Sequence, residues 1–189
     1  LPPTIDLLVD GDPVESRIKW PVPKRFNAFG FDNYGYDNTV ILPLSVSGFA
    51  AGGPLQLSGQ IDALVCADIC VPLSGAVKMT IPAGPAPPSV DAQAIARAAA
   101  LVPRQSGNAS LVPDHVWQAA DELYMRFATP VPIDDIFIEG VEGVGFKRPR
   151  LDGADAIIAI EAMSVPDLAG REITATIVAG NKFIENRFK

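Results

Sequence analysis

"PLQLSGQIDALVCADICVPLSGAVKMTIP", residues 54–82, is the stretch whose reading decides the fold. Apolar and polar side chains alternate through 54–66 and again through 75–82, the period of a half-buried strand. Between these runs stand the only two cysteines of the chain, Cys66 and Cys70, separated by Ala67, Asp68 and Ile69 and followed by Pro72. A disulfide needs Cα atoms roughly 4.4–6.8 Å apart, whereas four steps along an extended strand cover about 13 Å. If the two sulfurs bond, the chain must reverse or coil at 67–69. A tight turn, with "QIDALVC" entering and "CVPLSGAVKM" leaving, meets that requirement. So does a single helical turn.

Working outward, "TVILPLSVSG" (39–48) also alternates, with Pro43 pointing to an edge strand or a bulge. Before it, "KRFNAFGFDNYGYDN" (24–38) is dense in glycine and asparagine and reads as a loop. That loop carries Phe26, Phe29, Phe31, Tyr34 and Tyr36, more apolar surface than a loop needs unless it folds over something or tucks into its own core. Downstream, the proline-rich segment after Ala83 is a linker signal. "SVDAQAIARAAALV" (89–102) predicts one short helix, with Ser89 as N-cap and Pro103 beyond its end. Strand patterns then resume in "LYMRFATP" (123–130), "DIFIEG" (135–140), "DAIIAIEA" (155–162) and "EITATIVAGNKFIENRF" (172–188). The last of these predicts a hairpin turning at Ala179-Gly180-Asn181. Short strands at this spacing argue for an all-β chain of two β-sandwich lobes. The expected boundaries are 1–84 for the lobe with the cysteines, 85–110 for the linker with its helix, and 111–189 for the second lobe. The halves share no clear repeat.

The 189 residues are 48% apolar and 20% charged, enough to build packed cores. Eighteen prolines argue for short strands and rigid turns over long helices. A net charge of −7 without any run of Lys and Arg excludes nucleic acid as a partner. No stretch approaches the roughly 18 apolar residues of a membrane span. The chain begins at Leu1 without a signal-peptide pattern, so any targeting segment is expected to have been removed or left out.

The cysteine pair has three candidate roles. As a staple it closes a five-residue ring, which restricts the unfolded chain by only about 2 kcal/mol. As half of a metal site it lacks ligands, since zinc normally takes four and the chain offers one histidine, His115, far downstream in a surface or capping context. The "CADICVP" string does resemble the C-x-x-x-C-P motif of Sco-type copper proteins, displaced by one residue at the proline. A Cu(I)-binding, copper-resistance module using the pair is therefore the alternative function. As a redox couple, adjacent thiols supply one sulfur to attack and another to close behind it. Asp68 disfavours a thiolate, while Lys24 and Arg25 are the cations that could favour one through space.

"LPPTIDL", "IKWPVPKRF…FGFDNYGYDNTVILPLSV" and "ALVCADICVP" together resemble the N-terminal periplasmic domain of the ScsB/DsbD family of transmembrane reductant conductors, closest to the ScsB (suppressor of copper sensitivity) branch. The resemblance covers roughly residues 1–82, and the second half resembles the extra β-lobe of the ScsB branch loosely. It implies an immunoglobulin-like fold with a dithiol at one end, no cofactor and no metal. It also implies a protein-disulfide reductase domain, periplasmic and part of an inner-membrane protein. Electrons would come from the protein's own membrane-embedded segment and pass to periplasmic thioredoxin-fold partners. By the same resemblance Cys70 forms the mixed disulfide and Cys66 resolves it. An aromatic cap loop would cover the pair, with Phe29 the best match, Phe31 second, and Tyr34 and Tyr36 beside them. The cysteine spacing is shorter than in DsbD itself, and relatives carry further sequence before "LPP".

Overall fold

The structure, a computed structural model, describes residues 2–28, 31–50, 52–66, 69–84, 88–105 and 109–189. Strands β1 (Thr4–Val9), β2 (Asp12–Pro13), β3 (Glu15–Ile18), β4 (Lys24–Ala28), β5 (Phe31–Gly35), β6 (Leu44–Ser47), β7 (Leu55–Cys66) and β8 (Cys70–Ile81) precede the helix α1 (Ala92–Ala100). Strands β9 (His115–Ala119), β10 (Glu122–Arg126), β11 (Asp135–Glu139), β12 (Gly145–Phe146), β13 (Arg150–Asp152), β14 (Asp155–Glu161), β15 (Ile173–Ala179) and β16 (Lys182–Phe188) follow it. The chain is all-β and immunoglobulin-like, as expected. Among the described residues no helix is long and apolar enough to cross a membrane.

Two compact units form, one from Leu1–Lys19 with Leu42–Arg97 and the other from Trp20–Ile41 with Ala98–Lys189. This division is discontinuous, where the sequence reading runs in consecutive segments 1–84, 85–110 and 111–189. The difference lies mainly in residues 20–41, whose partners are in the second unit. The physical reason is a buried ion pair, because Arg25 on β4 reaches Asp135 on β11 across 110 residues of chain.

In the first unit an antiparallel sheet runs β2-β1-β7-β8, with β3 and β6 paired separately. The unbroken register of β7 and β8, from Leu55↔Ile81 to Cys66↔Cys70, gives the hairpin two distinct faces. Odd-numbered positions present Leu55, Leu57, Ile61 and Val65 opposite Ile81, Met79, Gly75 and Val71. Even-numbered positions are more polar, with Thr80 donating to Gln56 and Ser74 to Asp62, though Leu64 faces Pro72 next to the cysteines. Burial on the apolar face falls steadily across the sheet. Leu7 and Val9 of β1 are buried, β7 is half-buried, and Leu73 and Met79 of β8 are 58% and 60% exposed.

The second unit places β12-β14-β10-β9, with β13 also on β14, against the sheet β11-β15-β16. One hydrophobic cluster draws Leu123 and Met125 from β10, Ile158 from β14, Ile136 from β11, Ile177 from β15 and Ile184 from β16. These residues alternate along their strands, so each sheet turns one apolar face inward. β11 differs, because Asp135, Ile136, Phe137 and Ile138 are all buried.

Its outer face is covered by β4 and β5. The segment 24–38, expected to be a loop, is here a β-hairpin in the register Lys24↔Gly35 to Ala28↔Phe31. Its turn-forming residues are overridden by pairing and by contact with β11, where Tyr34 meets Phe137 edge to face at 5.1 Å.

The remaining local signals hold in outline. The helix is shorter than 89–102, and its first full-turn bond runs from the Ile95 N–H to the Asp91 carbonyl. Asp91 therefore holds the cap position expected for Ser89, whose carbonyl accepts from the Ala92 N–H instead. The C-terminal hairpin closes at Ala179↔Lys182, with Gly180 at φ 59° as a two-residue turn requires.

Candidate functional site

Cys66 ends β7 and Cys70 begins β8, directly opposite each other in the ladder and joined by a disulfide with Cα atoms 4.0 Å apart. The chain reverses between two strands, as the tight-turn alternative required, and no helical turn is formed by the described residues here. Both cysteines are exposed, as is Ile69 at 71%. The even numbering of Cys66 and Cys70 puts them on the opposite face of the sheet from Leu57, Ile61 and the buried Leu7 and Val9. A disulfide held at the exposed end of a long, regular hairpin is open to an incoming thiolate.

The other candidate residues divide between the units. Lys24 pairs with Asp37 at 2.8 Å, and its hydrogen bond holds the Asp37 carboxyl below the ordinary range. Arg25 pairs with Asp32 and Asp135 in the second unit. Tyr34 and Tyr36 are held there as well, their hydroxyls donating to the Phe146 and Pro21 carbonyls at 3.3 and 2.6 Å. Phe29 and Asp68 lie outside the described residues, as does the side chain of Phe31. His115 is exposed on the edge strand β9, opposite Arg126. Among the described residues, no group of three or more His, Cys, Asp and Glu side chains is arranged to hold a metal ion.

Asp135 was missed by sequence reasoning. An acidic residue heading the apolar run "DIFIEG" was its signal, because a strand buried on both faces cannot hide a carboxylate without a cation.

All three tyrosines of the chain, each in the second unit, are held above their ordinary pKa. Burial raises Tyr34. Burial and then the charge of Glu139 push Tyr36 up to about 12. For Tyr124 the leading cause is the hydrogen bond it donates to Glu122. The folded state thus keeps these protons more tightly than the unfolded chain does. Stability is retained up to the unfolded value of about 10 and lost as pH rises from there toward about 12. Tyrosinate absorbance is expected to appear only above the ordinary range, together with a fall in the unit's resistance to urea. A titration centred on the ordinary tyrosine value contradicts the burial described.

The fold and this site define a class, the immunoglobulin-like β-domain with a solvent-exposed cysteine bridge across a hairpin end. Residues 4–82, which include both cysteines, match the family described as "Thiol:disulfide interchange protein DsbD, N-terminal". The chain is also similar in fold to the N-terminal periplasmic domain of ScsB from Proteus mirabilis. The TM-score is 0.73 at 17% identity, with 98% of this chain and 76% of that one covered. No curated protein matches.

Proposed function

We propose that Cys66 and Cys70 form the exchange centre of a periplasmic protein-disulfide reductase domain. It would receive electrons from a membrane-embedded segment of its own protein and deliver them to thioredoxin-fold partners. The observation that carries this reading is the exposed Cys66–Cys70 bridge across the end of β7 and β8. The family match over 4–82 supports it.

The exchange has two steps in each direction. The Cys70 thiolate attacks a partner disulfide, forming a Cys70–partner bond and releasing the partner's other sulfur as a thiolate. Deprotonated Cys66 then attacks the Cys70 sulfur, the Cys66–Cys70 bond forms, and the partner's second sulfur leaves. The partner has gained two electrons and, from solvent, two protons. A dithiol of the membrane-embedded segment returns the electrons by reversing these steps on the bridge. The resemblance to the family supports the order of attack and a cover for the thiols supplied by the aromatic segment, with Phe29 first, Phe31 second, and Tyr34 and Tyr36 as further members.

Equilibrating the pair against glutathione and dithiothreitol buffers tests the relay. The expected potential lies above about −300 mV, within reach of thioredoxin-like reductants. A value below that makes the bridge a structural staple and removes the relay.

A further inference from the structure

Strand β8 has β7 on one side and, among the described residues, no strand on the other, and all twelve of its residues are exposed. The direction of its unused hydrogen-bonding groups follows from β7. There the Gln56 carbonyl accepts from the Asp10 N–H at 2.9 Å, and the Gln56 N–H donates to the Asp10 carboxylate at 2.9 Å. Even-numbered residues of β7 therefore bond toward β1. Even pairs of the β7–β8 ladder are then the non-hydrogen-bonded ones, and the even residues of β8 aim their backbone groups at the open edge. Pro72 fits this assignment, because its missing N–H falls at an even position where β7 needs none. Ser74, Ala76, Lys78 and Thr80 each present an N–H and a carbonyl along the edge.

Little keeps another strand away. Lys78 is the one charge of β8, and the odd positions Val71, Leu73, Val77, Met79 and Ile81 form an exposed apolar row. Reversed upon itself about Ala76, the strand is its own complement. Val71 then stands beside Ile81 of the second copy, Leu73 beside Met79 and Val77 beside Gly75, with about eight backbone hydrogen bonds between the copies. Nothing lies within 4 Å of the place a Gly75 side chain would take, so Val77 of the second copy has room. On the other face Ser74, which donates to Asp62, meets Lys78 of the second copy. Asp62 and that lysine have backbones about 10 Å apart across two strand spacings, a gap their side chains can close. Among the described residues neither Asp62 nor Lys78 is in an ion pair. Centring on Val77 instead makes the two Lys78 side chains diagonal neighbours, which is unfavourable.

We propose that β8 pairs antiparallel with β8 of a second copy, centred on Ala76, in a twofold-symmetric dimer that joins the two four-stranded sheets into one. A single strand pair is a small contact, so the dimer is weak and reversible. The pairing is independent of the exchange chemistry proposed for the cysteines.

Sedimentation of the oxidised 189-residue chain in about 0.15 M salt, which screens the repulsion between chains of net charge −7, is the test. The mass is expected to rise reversibly from one chain toward two as concentration approaches about 1 mM. Over the same range the amides of Ser74, Ala76, Lys78 and Thr80 should gain protection from exchange, while those of Leu73, Gly75, Val77 and Met79, already bonded to β7, should not change. Lys78→Glu is expected to weaken association about tenfold, and adding Asp62→Lys to restore it to within about threefold. Ala76→Pro, which removes an N–H that β7 does not use, should abolish association. A chain that stays monomeric to about 1 mM overturns the dimer and leaves the edge to a strand of another protein. A dimer of unchanged strength in Lys78→Glu and Ala76→Pro, or one that leaves the even amides unprotected, also overturns it, because its contact lies elsewhere. Should Ala76→Pro unfold the first unit, the charge exchange decides, and failure of Asp62→Lys to rescue Lys78→Glu rejects the pairing about Ala76.

Discussion

A Cys66→Ala chain, reduced and mixed with a thioredoxin-fold partner in its disulfide form, is expected to accumulate a mixed disulfide through Cys70, whereas Cys70→Ala accumulates little. Turnover is lost in both, because each lacks one of the two sulfurs that the exchange consumes. They differ in where the reaction stops. With Cys66 gone the first attack proceeds and nothing resolves it; with Cys70 gone the first attack does not occur. The two cysteines are both exposed and stand opposite in the ladder, so geometry alone does not rank them, and the order comes from the family resemblance. Non-reducing electrophoresis followed by mapping of the linked peptide reads the outcome, and equal capture by both variants rejects the assignment. Misfolding does not cloud this experiment. The bridge closes only a five-residue ring, worth about 2 kcal/mol of unfolded-state entropy. Behind it the hairpin keeps its β7–β8 register and its pairing with β1, whose Leu7 and Val9 are buried.

Why residues 54–82 were legible is physical. Alternation with period two fixes which side chains face the core, and cysteines that bond four residues apart force the strand to reverse or coil. The C-terminal hairpin was legible for a similar reason, since Gly180 supplies the backbone conformation its turn needs. The segment 24–35 was not. Its glycines and asparagines are local turn signals, and what makes it a hairpin is the face of β11 that it covers, more than a hundred residues away. The discontinuous division of the chain stayed hidden for the same reason, because a contact between Arg25 and Asp135 leaves no periodic trace in sequence. Arg25 was picked out for its charge, as a cation to favour a thiolate. The structure commits that charge to Asp32 and Asp135. The residue mattered, but the partner was unreadable until the strands were paired.

That partnership sets the second large effect. Arg25→Met is expected to cost the second unit about 3–5 kcal/mol, the range for breaking a buried ion pair from one side. Most of this is the penalty of leaving Asp135, 8% exposed, without its principal cation. Arg148, 3.5 Å away and largely exposed, recovers only part of the pairing. Replacing both partners, Arg25→Met with Asp135→Leu, removes the stranded charge and should be less costly than either single change. It does not reach full recovery, since the Ile136 N–H loses its Asp135 acceptor, the Ile136 carbonyl loses the Arg25 donor, and the Phe146 carbonyl keeps only the longer bond from Tyr34. Both tryptophans of the chain, Trp20 and Trp117, belong to the second unit, so their fluorescence in urea reports this unit without the cysteine hairpin. A single-variant cost below about 1 kcal/mol would place the pair among ordinary surface contacts. Costs that simply add in the double variant would show that Arg25 and Asp135 act independently, against the contacts that join them.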